Sequence, residues 1–369
     1  MAVAGTRARG LARRPGTRPG TRPGPRRGNA NNTRKDGRKA TTALAWGRGR
    51  CWRKEARGRG KEGVVRATAE AEAEVFHYLG QDFVLWVVDA TGLVERARKL
   101  HNTTSTATQA LGRVLMGTLL IGESKETSDS VQITFKGNGP LGQIMAIAEK
   151  GFVKGRLDVR RVEGDLTEGG SHSVGKAVGR QGVVTVVRKS KALQQYTGEQ
   201  QMGITELVNG EVAEDLTNYL AESEQINSAM GLGLVVSSDL SVRKAGGYLL
   251  QMLPGAAEET LDKLEENIKA MPPVSELMSD GKTQEDVASL ISRDLGLVDL
   301  VFRKDHSYGP CNTADLRERM VNTLKLLSVT EVRDILREQN KVEMCCEFCA
   351  ERIQFSEEDL VHEGVLGGR

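Results

Sequence analysis

The chain has 369 residues, of which 27% are charged and 38% hydrophobic, and its formal net charge is +3 at pH 7. This length suits two domains with an additional tail, and it allows a substantial buried core. The sequence lacks an apolar run of the roughly 18 residues that a membrane-spanning helix needs, so we predict a soluble mature protein without a membrane partner.

Residues 1–70 form a basic leader. Residues 1–66 contain 16 Arg, 4 Lys and three acidic residues, a formal charge of +17, which leaves −14 for the rest of the chain. The leader is rich in Arg, Gly, Pro and Thr and lacks apolar periodicity, so it is predicted to be disordered. Its composition favours an organellar transit peptide over the two alternatives, a nucleic-acid-binding arm and a plain solvated tail. We therefore expect no nucleic-acid partner.

Residues 76–254 are predicted to form an α+β domain. A continuous apolar run at 83–88 indicates a buried strand, and helical spacing follows over 110–120. Alternating apolar residues at 131–135 lead into the glycine-rich turn FKGNGPLG, and a second strand is predicted from 144 to 153. Further strands are predicted in QGVVTVVRK, GLGLVVSSD and AGGYLLQML, with a helix in GEVAEDLTNYLAESEQI.

Residues 255–301 are predicted to be a linker of short helices with polar outer faces. Pro272 and Pro273 end the first helix, and Thr283 with Asp286 has the spacing of a helix cap. Such helices bury little area, so we expect this metastable linker to lie at the low-stability end of the structure.

Residues 302–360 are predicted to be a small C-terminal module. One helix is expected from about Asp315 to Leu327, and a second begins at Ser328, with Glu331 at the capping-box position. A cysteine-bearing hairpin follows. A module of about 55 residues with few large apolar side chains is marginal unless a disulfide or a metal stabilises it.

The spacing of the module's cysteines predicts a zinc site. Cys346 and Cys349 are separated by two residues, which lets one tight turn present both sulfurs to a tetrahedral ion. Cys311 lies 35 residues before Cys346 and supplies a third thiolate. Tyr308, three residues before Cys311, is a poor zinc ligand. The CxxC pair taken by itself is also compatible with a redox dithiol or an incidental pair.

A closed structural zinc site needs four ligands, and His306 and Cys345 are the two candidates for the fourth position. Cys345 is adjacent to Cys346, and neighbouring side chains in a strand point to opposite faces. We therefore favour His306. The alternatives are that His306 is an exposed loop residue and that Cys345 faces away from the metal.

The order of the segments carries a resemblance to a known family. FKGNGPLGQIMAIAEKGFVKGRLDV, GEVAEDLTNYLAESEQI, AGGYLLQMLPGA and CEFCAERIQFSEEDL follow one another between about residues 80 and 360. In this the chain resembles the redox-regulated heat-shock chaperones of about thirty-three kilodaltons, which are zinc-containing holdases. The resemblance implies an N-terminal α+β domain, a metastable helical linker and a C-terminal domain in which four cysteines bind zinc.

The resemblance also implies a function. It predicts a chaperone, not an enzyme, that holds unfolding client proteins under oxidative stress without ATP and forms a homodimer when oxidised. A Gly-, Pro- and Arg-rich leader on such a chain favours the chloroplast, with the mitochondrion as the alternative. The implied redox-active residues are Cys346 with Cys349, and Cys311, which has Cys345 as its remaining partner.

The sequence departs from the family at the first cysteine pair, where it retains Cys311 alone and has Tyr308 at the expected partner position. A chaperone with structural zinc and an impaired redox switch is therefore one alternative. A thiol oxidoreductase that uses the CxxC pair is another, although such a pair normally begins a helix. A zinc-containing nucleic-acid binder is disfavoured because ERIQFSEEDLVHE is acidic.

Overall fold

The structure is a computed structural model that describes residues 71–125, 130–162, 167–168, 171–190, 200–296, 299–309 and 313–367. The predicted leader, including Cys51, and the predicted ligand Cys311 lie outside the described residues. Among the residues that are described, no helix is long and apolar enough to cross a membrane.

A ten-stranded sheet forms the centre of the described fold. In chain order, the strands of this region are β1 (Ala73–Leu79), β2 (Phe83–Asp89), β3 (Ser130–Gly137), β4 (Gln143–Glu149), β5 (Phe152–Leu157), β6 (Thr167–Glu168), β7 (Ser171–His172), β8 (Gly182–Lys189), β9 (Gln201–Glu206), β10 (Ser228–Val236), β11 (Val242–Met252) and β12 (Asp299–Tyr308). β6 and β7 form a separate small hairpin, and the other strands form the sheet in the order β10-β11-β2-β1-β12-β5-β4-β3-β8-β9. The strand pairs of the sheet are antiparallel except for a short parallel pairing between β12 and β5.

Two of the predicted strands follow directly from local pattern. β2 buries Phe83 and the run from Leu85 to Val88, as expected for an apolar strand covered on both faces. β3 alternates buried and half-buried side chains, and FKGNGPLG turns the chain into β4. At Gly139 a Cβ atom would lie 2.3 Å from the carbonyl oxygen of Ala177, so only glycine allows this close approach.

The single strand predicted from 144 to 153 is wrong, because the chain reverses in the middle of it. Lys150 and Gly151 both have positive φ angles, 47° and 81°, and they form the tight turn between β4 and β5. Two consecutive positive φ angles suit the right-handed twist of a hairpin. Apolar residues continue through both strands, so periodicity alone does not show the turn.

The described part of the α+β region contains four helices: α1 (Thr91–His101), α2 (Ser105–Glu123), α3 (Val174–Val178) and α4 (Val212–Glu224). α2 is buried on nearly every side and contacts the sheet, α1, α3 and α4. Its apolar residues join those of β3, β4, β5 and β8 in the largest apolar cluster of the described residues. The mixed α+β fold class predicted from the sequence is therefore confirmed.

The predicted linker contains α5 (Glu258–Ala270), α6 (Val274–Ser279) and α7 (Gln284–Ile291). Pro272 and Pro273 separate α5 from α6, and Thr283 with Asp286 forms the predicted capping box of α7. The helices bury a second apolar cluster against β1, β2 and β11, which we call the linker interface. Its members are Tyr78, Phe83, Leu85, Val87, Tyr248 and Leu250 from the sheet, and Leu264, Met271, Val274, Leu277, Met278, Val287, Ala288 and Ile291 from the linker.

The predicted boundary between linker and module, at residue 302, falls inside β12. This strand runs along β1 in antiparallel register, with Ala73 opposite His306, so residues 302–308 belong to the central sheet. Most of its side chains are exposed, and only His306 and Tyr308 are buried. The sequence of β12 therefore lacks the alternation of apolar residues that would predict a strand. Its position in the sheet depends on pairing with β1, a distant segment of the chain.

The C-terminal module contains α8 (Thr313–Leu324), α9 (Val329–Gln339), β13 (Val342–Cys345), β14 (Arg352–Phe355) and α10 (Glu357–His362). Ser328 and Glu331 form the predicted capping box, and β13 pairs with β14 as the predicted hairpin. A third apolar cluster of twelve buried residues, Cys346 among them, holds these elements together. This core is small, as expected from the sequence.

Candidate metal centre

The turn between β13 and β14 carries Cys346 and Cys349, and we call residues 346–351 the thiol knuckle. The amide of Cys346 donates to the carbonyl of Glu351 at 2.8 Å, and the amide of Ala350 donates to the carbonyl of Cys346 at 2.9 Å. Ala350 has a φ angle of 56°, which closes the turn. Cys346 is buried, whereas Cys349 is half-buried. Two thiols at two-residue spacing on a tight turn fit the donor chemistry of zinc.

Cys345 is the last residue of β13 and lies opposite Arg352 of β14. Its sulfur lies 3.8 Å from the carbonyl oxygen of Cys346 and is half-buried. Cys345 thus lies on the strand just before the thiol knuckle, and its sulfur contacts the first carbonyl of that turn.

His306 lies in β12 and is not an exposed loop residue. Its side chain is 2% exposed, and its Nε2 atom is 3.5 Å from a carboxylate oxygen of Glu123 in α2. Burial lowers the pKa of His306, and the Glu123 carboxylate opposes that shift. To reach a metal at the thiol knuckle, the ring would have to leave this position.

The proposed ligands are only partly represented in the structure. The described residues contain no group of three or more His, Cys, Asp or Glu side chains that could hold a metal, and they do not include Cys311. Cys346 and Cys349 share the thiol knuckle, whereas His306 lies in the sheet beside Glu123. The four-ligand set therefore stays a prediction.

Tyr308 connects the sheet to the thiol knuckle, a role that sequence reasoning missed. Its side chain is 1% exposed, and its hydroxyl oxygen lies 2.7 Å from the carbonyl oxygen of Phe348. The same hydroxyl is 2.9 Å from the carbonyl of Gly155 in β5 and 2.9 Å from Nε2 of His101 in α1. The one signal in the sequence was a large polar aromatic at a position where a thiol was expected.

Charged side chains of β5 also contact the knuckle. Arg156 lies 3.2 Å from the carboxylate of Glu347, and its guanidinium carbon is 5.9 Å from the centroid of the Phe348 ring. The Lys154 ammonium is also 5.9 Å from that centroid. Cations at this distance from an aromatic face are attracted by its quadrupole. The knuckle thus contacts β5 through its side chains, and Tyr308 of β12 through its backbone.

We expect His101 to make stability depend on pH, because burial lowers its pKa from 6.5 to about 4. Between these values the unfolded chain binds more protons than the folded one, so stability present at neutral pH is lost as pH falls. Relative to His101→Gln, the parent should lose about 3 kcal/mol of unfolding free energy between pH 7 and 4. Urea unfolding at several pH values measures this difference.

Asp215 also contributes to the pH dependence, but its contribution is the same in the parent and in His101→Gln. Burial raises its pKa to about 6, so it titrates over the same pH range but in both proteins. The difference between the two pH profiles therefore isolates His101. Parallel profiles for the parent and His101→Gln would show that the folded protein does not hold His101 uncharged.

Comparison with known proteins agrees with this architecture. Residues 75–356 match the family model described as Hsp33 protein. The chain is 37% identical to the 33 kDa chaperonin of Desulforamulus reducens over 281 residues, which cover 76% of this chain and 92% of the relative. It is 39% identical to the 33 kDa chaperonin of Lactiplantibacillus plantarum over 287 residues, covering 77% and 93% of the two chains.

A solved structure supports the same assignment. The crystal structure of the 33 kDa chaperonin from Thermotoga maritima superposes with a TM-score of 0.70 at 31% sequence identity, covering 80% of this chain and 98% of that one. The fold is thus that of a chaperone and not of an enzyme. The chain belongs to the Hsp33 family. The CxxC pair joins two strands instead of beginning a helix, which also argues against a thiol oxidoreductase.

Proposed function

We propose that this chain is an ATP-independent holdase that binds unfolding proteins under oxidative stress and is regulated by its C-terminal thiols. The observation that carries the proposal is the linker interface, an apolar sheet face covered by three short helices. The sheet contributes large side chains such as Phe83, Leu85 and Tyr248. If the helices detach, this face becomes a surface for apolar segments of an unfolding protein.

The proposed regulatory site contains zinc bound by Cys346, Cys349 and Cys311, with His306 or Cys345 as the fourth ligand. Bound zinc would keep the thiols deprotonated and join both halves of the module. Oxidation then forms a Cys346–Cys349 disulfide: the two thiolates give up two electrons, and one hydrogen peroxide takes up these electrons and two protons from solvent to become two waters.

The small core of the module links this chemistry to the linker interface. Cys346 belongs to the apolar cluster that also contains Val332 and Phe355, so changes at its sulfur disturb the packing of the module. A module with so little buried area depends strongly on its thiol site for stability. We propose that loosening of the module weakens linker docking and releases the apolar sheet face.

We expect the oxidised protein to suppress light scattering from a heat-unfolding client without nucleotide, and the reduced protein to suppress it less. The measurement compares peroxide-treated and dithiothreitol-treated protein at equal concentration, with ATP absent throughout. Suppression by neither form would contradict the holdase proposal.

A holdase with structural zinc and an impaired redox switch is the second candidate. It is favoured by Tyr308, which stands where a thiol was expected and whose hydroxyl is engaged with Phe348 and Gly155. In the same scattering assay this candidate predicts equal suppression by the oxidised and reduced forms. The assay therefore separates the two candidates directly.

We further propose that residues 1–70 direct the chain to an organelle, the chloroplast in preference to the mitochondrion, and that the oxidised form is a homodimer. The +17 charge of residues 1–66 supports the first proposal. A fusion of residues 1–70 to a fluorescent reporter should enter the organelle, whereas uniform cytosolic fluorescence would contradict targeting. Sedimentation of reduced and oxidised protein tests the dimer.

A further inference from the structure

The hydroxyl of Tyr308 lies where three parts of the fold meet. His101 belongs to α1, Gly155 to β5 and Phe348 to the thiol knuckle, and each has a polar atom within 3.3 Å of this oxygen. The phenol is 1% exposed, so these bonds are shielded from water. A buried hydroxyl with these partners is a built hydrogen-bonding site.

The geometry assigns a direction to these bonds. A hydroxyl has a single hydrogen, and the nearer acceptor is the carbonyl of Phe348 at 2.7 Å, compared with 2.9 Å for the carbonyl of Gly155. The amide of Gly155 donates to the hydroxyl oxygen at 3.3 Å. An uncharged His101 with its proton on Nε2 donates to the same oxygen at 2.9 Å. The core thus orients the hydroxyl toward the knuckle.

The acceptor lies in the part of the chain that thiol chemistry must rearrange. Phe348 lies between the two knuckle cysteines, so its carbonyl belongs to the loop that a Cys346–Cys349 disulfide would close. Its ring is held at the same time by the cations of Lys154 and Arg156 in β5. One residue of the knuckle therefore makes both the backbone and the side-chain contact with the core.

We propose that Tyr308 is the residue that docks the reduced thiol knuckle on the core, and that its bond to Phe348 sets the oxidant dose at which the module is released. The docking role stands independently of the proposed function. The effect on the oxidant dose deepens the proposed function and rests on it. Tyr308 is a positioning residue in this scheme: it binds no metal and reacts with no oxidant. In this chain the hydrogen bond from Tyr308 attaches the thiol knuckle to the core, at the position where a thiol was expected.

The test is hydrogen exchange on the full-length, reduced protein. Tyr308→Phe keeps the ring but removes the hydroxyl, and we expect the amides of Cys346 and Ala350 to exchange about fivefold faster, as expected for the loss of one buried hydrogen bond. Tyr219→Phe in α4 is the matched control, because Tyr219 is also buried but packs among the strands and helices of the largest cluster. In Tyr219→Phe the amides of Cys346 and Ala350 should exchange at the same rate as in the parent.

Unchanged exchange in Tyr308→Phe, or equal acceleration in both variants, would overturn the docking role. Where Tyr308→Phe does not yield folded protein, the parent supplies a second measurement: in the reduced protein the Tyr308 hydroxyl proton should give a slowly exchanging NMR signal, because the hydroxyl is buried and donates to Phe348. A hydroxyl proton that exchanges as fast as one in free solvent would contradict the docking role.

The regulatory half is tested by the dose of peroxide that gives half-maximal holding activity. Tyr308→Phe should reach this point at about one fifth of the parent's dose, whereas Tyr219→Phe should not shift it. An unshifted dose in Tyr308→Phe rejects the regulatory half. If the parent holds no client in either redox state, the proposed function fails, while the exchange result still decides the docking role.

Discussion

Leu264→Asp is expected to hold unfolding clients without any oxidant. Leu264 is 1% exposed and is the buried apolar side chain that α5 contributes to the linker interface. Replacing it removes apolar burial and leaves a carboxylate without a partner, at a combined cost of about 3 to 5 kcal/mol. Three short helices cannot offset that loss, so the linker should detach while the largest cluster, which does not include Leu264, stays folded. Light scattering of a heat-unfolding client in dithiothreitol measures the effect.

Ala270→Asp is the matched control for this change. It adds the same carboxylate to the same helix at an exposed position, so it should leave the reduced protein as inactive as the parent. Binding of a dye for apolar surfaces should rise for Leu264→Asp but not for Ala270→Asp. A reduced Leu264→Asp protein that neither binds the dye nor holds the client would show that the linker interface is not the client surface.

Cys346→Ser is expected to lose its zinc and to unfold the C-terminal module while the central sheet stays intact. Structural zinc contributes an apparent binding free energy of about 10 to 16 kcal/mol in small domains, which exceeds what twelve buried residues can supply. Cys346 is both a proposed ligand and a member of that core. Metal analysis and limited proteolysis should show a zinc-free protein cleaved after about residue 309 with a resistant core. Removal of zinc from the parent by a chelator should give the same pattern.

Cys345→Ser provides the control, because Cys345 is the last residue of β13 and neighbouring side chains in a strand point to opposite faces. It should retain zinc. His306→Ala tests the fourth ligand in the same assay: if His306 binds zinc, its replacement should weaken zinc binding more than Cys345→Ser does. Zinc bound as tightly by His306→Ala as by the parent, together with loss from Cys345→Ser, would assign the fourth position to Cys345.

Patterns that depend on local sequence were predictable. The apolar run of β2, the alternation in β3 and the capping boxes at Thr283 and Ser328 each follow from neighbours within a few residues. The family resemblance was predictable for the same reason, since it depends on short segments in order. These features need no knowledge of which distant segments meet.

The features that were missed depend on distant pairing. β12 exposes most of its side chains and is defined by its register with β1, more than two hundred residues earlier in the chain. Recognising His306 as buried requires that pairing, and so does placing Tyr308 beside Gly155 and Phe348. Buried positions can be recognised from the sequence only when apolar residues recur at regular intervals along the strand. β12 buries side chains only at its C-terminal end, so it shows no such recurrence.

β11 and β12 are both part of the central sheet, so the linker is anchored at both ends. The 46 residues between Met252 and Asp299 form a closed loop on the sheet, and unfolding of the helices does not let them diffuse away. A tether of this kind keeps a segment at an effective concentration of roughly millimolar beside its docking surface. If the linker interface is the client surface, as we propose, every client competes with an intramolecular ligand, and a weakly bound client leaves as soon as the helices can refold. Under the same proposal, the covalent tether favours chains with extended apolar segments over those that expose a single side chain.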